Sequence, residues 1–101
     1  MIPKTEAQVQ GPVIRYGRSL GLRCDKLSAG SRFQGSGLPD YVVWAYGGRP
    51  VLVEFKRPGG ELSALQAVVQ TELKALKYKV VTIDNVEDGK RLMTELARRE
   101  K

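Results

Sequence analysis

Pro39-Asp40-Tyr41-Val42-Val43-Trp44-Ala45-Tyr46-Gly47-Gly48-Arg49-Pro50-Val51-Leu52-Val53-Glu54-Phe55-Lys56 holds the plan of this chain. Two runs rich in β-branched and aromatic residues flank a Gly-Gly pair, which is the pattern of a β-hairpin. The expected strands are 40–45 and 50–56, with the turn at 46–49. Side chains alternate along a strand. Val51, Val53 and Phe55 then share a wholly apolar face, and Leu52, Glu54 and Lys56 share the other. Asp40 shares its face with Val42 and Trp44. Register settles what Asp40 meets. A two-residue loop at Gly47-Gly48 pairs Tyr46 with Arg49 and sets Asp40 against Phe55. A three-residue loop at Tyr46-Gly47-Gly48 pairs Ala45 with Arg49 and sets Asp40 against Glu54. Loops of that length commonly end on a left-handed residue, a role that Gly48 fits. The expectation is an odd loop, or an even one corrected by a bulge.

Directly opposed carboxylates lie about 5 Å apart at their Cβ atoms. Like charges that close raise one pKa unless positive charge lies between them. Lys56 supplies part of it, and a divalent cation would supply the rest. Taken alone, Glu-x-Lys also fits a solvent-facing sheet edge; Asp40 shifts the balance. The chain has no histidine, which excludes histidine bases and histidine-rich zinc sites. A metal here must be held by oxygen, which points to magnesium or manganese.

Outward from the hairpin the elements follow in turn. Thr5 opens a helical pattern in which Val9, Val13, Tyr16 and Leu20 share one face. Thr5 and Gln8 have capping-box spacing. Gly11-Pro12 interrupts the run, and Pro12 removes a backbone donor. A kink there, or a helix start at Pro12, is expected. Gly21 ends the helix. Residues 22–27 read as a short strand, and 28–38 as a Gly/Ser-rich mobile loop carrying Arg32. After the break at Pro58-Gly59-Gly60, a helix is expected over 63–76 with Leu65, Val69, Leu73 and Leu76 inward. A fourth strand at 79–83 and a last helix at 86–98 complete the chain. Glu87 and Asp88 fall in that helix's first turn, and Arg98 and Arg99 in its last, as the helix dipole favours. The order αβββαβα makes a mixed α+β sheet, a three-strand meander and a crossover, with helices on its faces.

A length of 101 residues suits one domain spanning 1–101. Lys plus Arg total 17 against 11 for Asp plus Glu, a net +6 that favours a polyanionic partner such as nucleic acid. The lone cysteine, Cys24, allows no intrachain disulfide and suits a strand core. Trp44 is also expected in the core. No apolar run approaches the roughly 20 residues of a membrane span. Residues 1–10 are polar and lack a signal-peptide core, so the expectation is a cytoplasmic protein with no membrane partner.

Gly37-Leu38-Pro39-Asp40, then Val53-Glu54-Phe55-Lys56-Arg57-Pro58-Gly59-Gly60, then Leu62-Ser63-Ala64-Leu65-Gln66 together resemble the PD-(D/E)XK nuclease core. They look most like its virus-type replication-repair nuclease branch, the VRR-NUC domain. Glu6, with Val9-Gln10 and Val13, is similar to that family's first helix. The resemblance covers nearly the whole chain and implies a restriction-endonuclease-like fold. It implies that Asp40 and Glu54 ligate Mg2+, with Mn2+ as a substitute, and that the Phe55 backbone carbonyl is a further ligand. Lys56 would orient the attacking water or stabilise charge on the phosphate. As an ammonium beside two carboxylates it stays charged, so its role is electrostatic. Gln66 would assist at the same site, although Ser63 and Gln66 also form a capping box that accounts for Gln66 by itself. Glu6 would approach directly or through water. Arg57, Arg32, Lys26, Lys74 and Lys77 are the candidate phosphate contacts.

The implied activity is a magnesium-dependent DNA endonuclease, selective for branched structures such as Holliday junctions, in replication, recombination or repair. The family includes small dimeric members, so a homodimer is implied, working in the bacterial host cytoplasm if the chain is phage-encoded. The rivals are a non-catalytic basic nucleic-acid-binding module and a simple nicking or end-trimming nuclease.

Overall fold

A computed structural model describes residues 4–27 and 36–99. The elements are α1 (Glu6–Ser19), β1 (Arg23–Lys26), β2 (Tyr41–Ala45), β3 (Arg49–Phe55), α2 (Ala64–Ala75), β4 (Lys79–Ile83) and α3 (Val86–Leu96). The sheet runs β1-β2-β3-β4. β1 pairs antiparallel with β2, and β2 with β3, while β3 and β4 are parallel. A parallel pair needs a crossover, which α2 provides. The expected αβββαβα order and mixed sheet are therefore present, as an α+β restriction-endonuclease-like fold.

The β2–β3 turn fixes the register. Tyr46, Gly47 and Gly48 form it, and Ala45 pairs with Arg49. Gly48 is left-handed, with φ 74°, so the odd loop is the observed one.

α1 starts where its cap says it should. The Thr5 hydroxyl accepts from the Gln8 N–H at 3.2 Å, and the Gln8 side chain accepts from the Thr5 N–H at 2.9 Å. The helix continues through Pro12, so a start at Pro12 is excluded. The residue before Pro12 is Gly11, whose missing Cβ removes part of the clash that normally ends a helix before proline. Val9, Val13 and Ile14, all buried, hold both sides of the proline to the sheet.

α1 and α3 cover one face of the sheet. Their Val9, Val13, Ile14, Leu92, Met93 and Leu96 pack with Val43, Val51, Val53, Phe55 and Ile83. Each such side chain contributes roughly 1.5–3 kcal/mol relative to an exposed one. Cys24 joins this core, as expected. α3 begins with Glu87 and Asp88 in its first turn but ends at Leu96, so Arg98 and Arg99 lie beyond it. Arg99 instead reaches Tyr46, donating to its hydroxyl at 3.1 Å and lying over its ring.

Among the described residues, α2 is the one helix on the other face, and it departs from the expected orientation. Leu65 is 46% exposed and Leu76 68%, and the one buried residue of α2 is Gln70. Gln66, Val69, Gln70 and Leu73 make the inward arc instead. Relative to the expected face the helix is rolled by roughly 50°, at about 100° per residue. Trp44 also departs from expectation. It is 48% exposed, on the α2 side of the sheet, and its indole N–H donates to Asp25 at 2.7 Å. A core indole needs a buried acceptor; this one finds a carboxylate at the surface.

Candidate active site

The site forms where β2 begins and β3 ends. Tyr41 pairs with Val53, so the next step outward brings Asp40 beside Glu54. Pro39 is fully buried and anchors the approach. The Asp40 carboxylate accepts from the Phe55 N–H at 2.7 Å, which pins it across the strands. Glu54 is 1% exposed. It accepts from the Gln66 amide at 3.2 Å, and Lys56 Nζ lies 3.9 Å from the same oxygen. Lys56 itself is anchored by its backbone N–H, which donates to the Ile83 carbonyl at 2.9 Å. Glu6, the first residue of α1, closes the group. One carboxylate oxygen from each of Glu6, Asp40 and Glu54 lies within 4.8 Å of the others. The placement of Glu6 follows from α1 starting at its Thr5 cap.

The electrostatics are those of a carboxylate cluster with too little positive charge. Glu54 is pushed up to about 8, first by burial, then by the charge and hydrogen bond of Asp40 and by Glu6, with Lys56 opposing. Glu6 is also raised, by partial burial and by Asp40, again with Lys56 opposing. A buried acid left in this state is costly. Hard oxygen donors converging with an excess of negative charge are a donor set compatible with a divalent cation.

Gln66 serves two partners. Its side-chain oxygen accepts from the Ser63 N–H at 2.9 Å, closing the capping box, while its amide nitrogen donates to Glu54. The capping reading and the site reading thus describe opposite ends of one amide. Glu6, Asp40, Glu54, Lys56 and Gln66 are brought together. Arg57 follows Lys56 directly and is exposed. Lys26, at the end of β1, and Lys74 and Lys77, at the C-terminal end of α2, are exposed and make no ion pair among the described residues. Arg32 lies outside the described residues.

Two neighbours are not evident from the sequence. Gln70 donates to the Thr82 hydroxyl at 3.0 Å, and Thr82 pairs with Glu54 in the β3–β4 register. The signal was the four-residue spacing of Gln66 and Gln70, which puts them on one helical face.

An α+β sheet whose antiparallel hairpin brings an acidic pair and a lysine to one end is consistent with a restriction-endonuclease-like fold. Compared with solved structures, the chain is similar to one described as "VRR_NUC domain". The match has a TM-score of 0.74 and 22% identity, and covers 90% of this chain and 97% of that one. The chain has the VRR_NUC fold. No family model matches the sequence, and no curated protein matches it. No helix among the described residues is long and apolar enough to cross a membrane.

Proposed function

We propose that this chain is a magnesium-dependent deoxyribonuclease. The observation that carries the reading is the convergence of Glu6, Asp40 and Glu54 carboxylates beside the Lys56 ammonium. Asp40 and Glu54 would hold the ion, with the Phe55 carbonyl as a further ligand and Glu6 bound directly or through water. A bound divalent cation supplies Lewis acidity, easing proton loss from water and polarising a phosphoryl oxygen. Lys56 places fixed positive charge where negative charge develops on the phosphate. Gln66 holds one Glu54 oxygen, which leaves the other free to face the ion. Arg57, Arg32, Lys26, Lys74 and Lys77 contact backbone phosphates, and the net charge of +6 makes that binding salt-dependent.

No element among the described residues is set to read base edges, so selectivity falls on DNA shape. Branched DNA, including four-way junctions in recombination or repair, is the substrate class we favour. A homodimer suits such a substrate, since two-fold symmetry presents a pair of sites. Support for a second copy comes from the α2 side of the sheet, where Trp44, Leu65, Val68, Leu76 and Tyr78 are each close to half exposed or more. A non-catalytic binding module has no use for a buried, poorly compensated Glu54.

The test is incubation of labelled linear, flapped and four-way DNA with Mg2+, beside Glu54→Ala. Metal-dependent cleavage by the wild type alone is expected, strongest on the branched forms. Nicking of a circular plasmid separates endonuclease from end-trimming activity. Metal-independent binding without cleavage would leave only the binding module.

A further inference from the structure

Gln70 has no part in the site described above, yet it is the residue on which α2 is seated. A crossover helix docked for packing alone would bury Leu or Val, but α2 leaves Leu65 and Val68 46% and 54% exposed and buries Gln70 to 6%. A buried amide costs stability unless it is hydrogen-bonded. Gln70 is bonded to Thr82 on β4 at 3.0 Å. One helical turn earlier, Gln66 is bonded to Glu54 on β3 at 3.2 Å. Thr82 and Glu54 are partners in the parallel register. Two amides on successive turns therefore grip two adjacent residues of neighbouring strands. Apolar contacts slide with little penalty, whereas two directed bonds, each with one buried partner (Gln70 and Glu54), fix both roll and height.

We infer that Gln70 is a positioning residue: its bond to Thr82 fixes the roll of α2 so that the Gln66 amide stays on Glu54. The inference rests on the nuclease reading for its kinetic consequence, but not for its structural one. Gln70→Leu keeps the burial and frees only the Thr82 hydroxyl, which water can satisfy. Thr82→Val removes the acceptor, and Thr82→Ser retains it.

The kinetic arm measures Mg2+-dependent DNA cleavage. Gln70→Leu and Thr82→Val are each expected to lower kcat roughly tenfold with KM unchanged, as loss of an outer-shell partner typically does. Thr82→Ser is expected to retain wild-type kcat. In a Gln66→Ala background, Gln70→Leu is expected to lower kcat no further, because Gln70 acts through Gln66. The spectroscopic arm follows the Gln66 side-chain amide signal by 15N NMR in metal-free protein. It should move to the position of a solvated amide in Gln70→Leu. An unmoved Gln66 signal, or an equal fall in kcat with and without Gln66, overturns the inference. If Gln70→Leu does not fold, the same readouts on Thr82→Val against Thr82→Ser decide it. A wild type that cleaves nothing defeats the nuclease reading, and the NMR arm still decides the role of Gln70.

Discussion

Glu54 sits almost out of water beside two other carboxyls, and its titration is the most direct way to read the site. Its folded pKa of about 8 lies above the ordinary 4.5, so the folded state binds the proton more tightly than the unfolded chain. The stability this confers is complete below about pH 4.5 and is lost as pH rises through 8. Metal-free protein should therefore melt at progressively lower temperature between pH 5 and pH 8. Glu54→Gln, which keeps the Gln66 contact without the charge, should flatten that profile. It should be more stable than wild type at pH 8, with a higher Tm. Added Mg2+ should reverse the trend in the wild type, since it favours the ionised carboxylates. Thermal melts across pH with and without Mg2+ check all three. Lys56 makes the complementary case. Lys56→Ala should cut cleavage by at least about 100-fold, with Tm and DNA affinity near wild type, measured by single-turnover kinetics beside fluorescence anisotropy. Cleavage at the normal rate would remove Lys56 from the mechanism. These residues were legible in the sequence because a strand has period two and Gly48 sets an odd loop. An even loop without a bulge would have set Asp40 against Phe55; the odd loop sets it beside Glu54. Trp44 was not legible, because the same alternation says which face a side chain takes but not whether a helix covers that face.

The hairpin and the helix caps were readable for local reasons, and α2 shows where local reasoning stops. Thr5-Gln8 and Ser63-Gln66 mark their helix starts within the chain itself, and the structure closes both boxes. The apolar spacing of Leu65, Val69, Leu73 and Leu76 pointed to one inward face, but the bonds of Gln66 and Gln70 to the sheet turn the helix to another. A hydrophobic pattern cannot anticipate that, because buried polar contacts depend on what the partner strand offers. The seat of α2 also depends on Gly37. This residue is left-handed, with φ 79°, and a Cβ there would lie 2.8 Å from Leu65 Cγ and 3.0 Å from the Leu65 carbonyl oxygen. Gly37 begins the run into Leu38, Pro39 and Asp40, so it presses the N-terminal half of α2 against the segment that carries a site carboxylate. Gly37→Ala should cost about 1–3 kcal/mol from backbone strain and displaced contacts. It should also weaken metal binding through Asp40 and Gln66 together. Urea unfolding and Mn2+ titration of the same variant check the two effects.

At the scale of the whole molecule, the two faces of the sheet are unequally covered by the described residues. α1 and α3 seal one face with the core. On the other, α2 leaves a groove of about 550 Å³ lined by Leu27, Leu38, Pro39, Val42, Trp44, Pro50, Leu52, Leu73 and Tyr78. The exposed Trp44, Leu65, Val68, Leu76 and Tyr78 on this side are where the proposed second copy would dock, and a stable protein–protein interface needs about 800 Å² from each partner. A second copy would meet that need isologously, with the exposed ridge of α2 on one copy entering the groove of the other. Charge opposes the pairing, since each copy carries +6, so the apolar surface must outweigh a repulsion that salt screens. The association should therefore tighten as salt rises, while DNA binding by the same protein weakens. Val68→Glu with Leu76→Glu should leave each fold intact to within about 0.5 kcal/mol, because both residues are already at the surface. On the proposed pairing, the wild type should sediment at twice the chain mass of 11.2 kDa and the double variant at once that mass; a wild type at the single mass would overturn the pairing. Analytical ultracentrifugation at low and high salt checks this. The variant should retain cleavage of linear DNA but lose paired incision of a four-way junction, because each acidic site is complete within one chain while a symmetric cut needs two of them. Equal junction resolution by monomer and wild type would place the second copy outside the function.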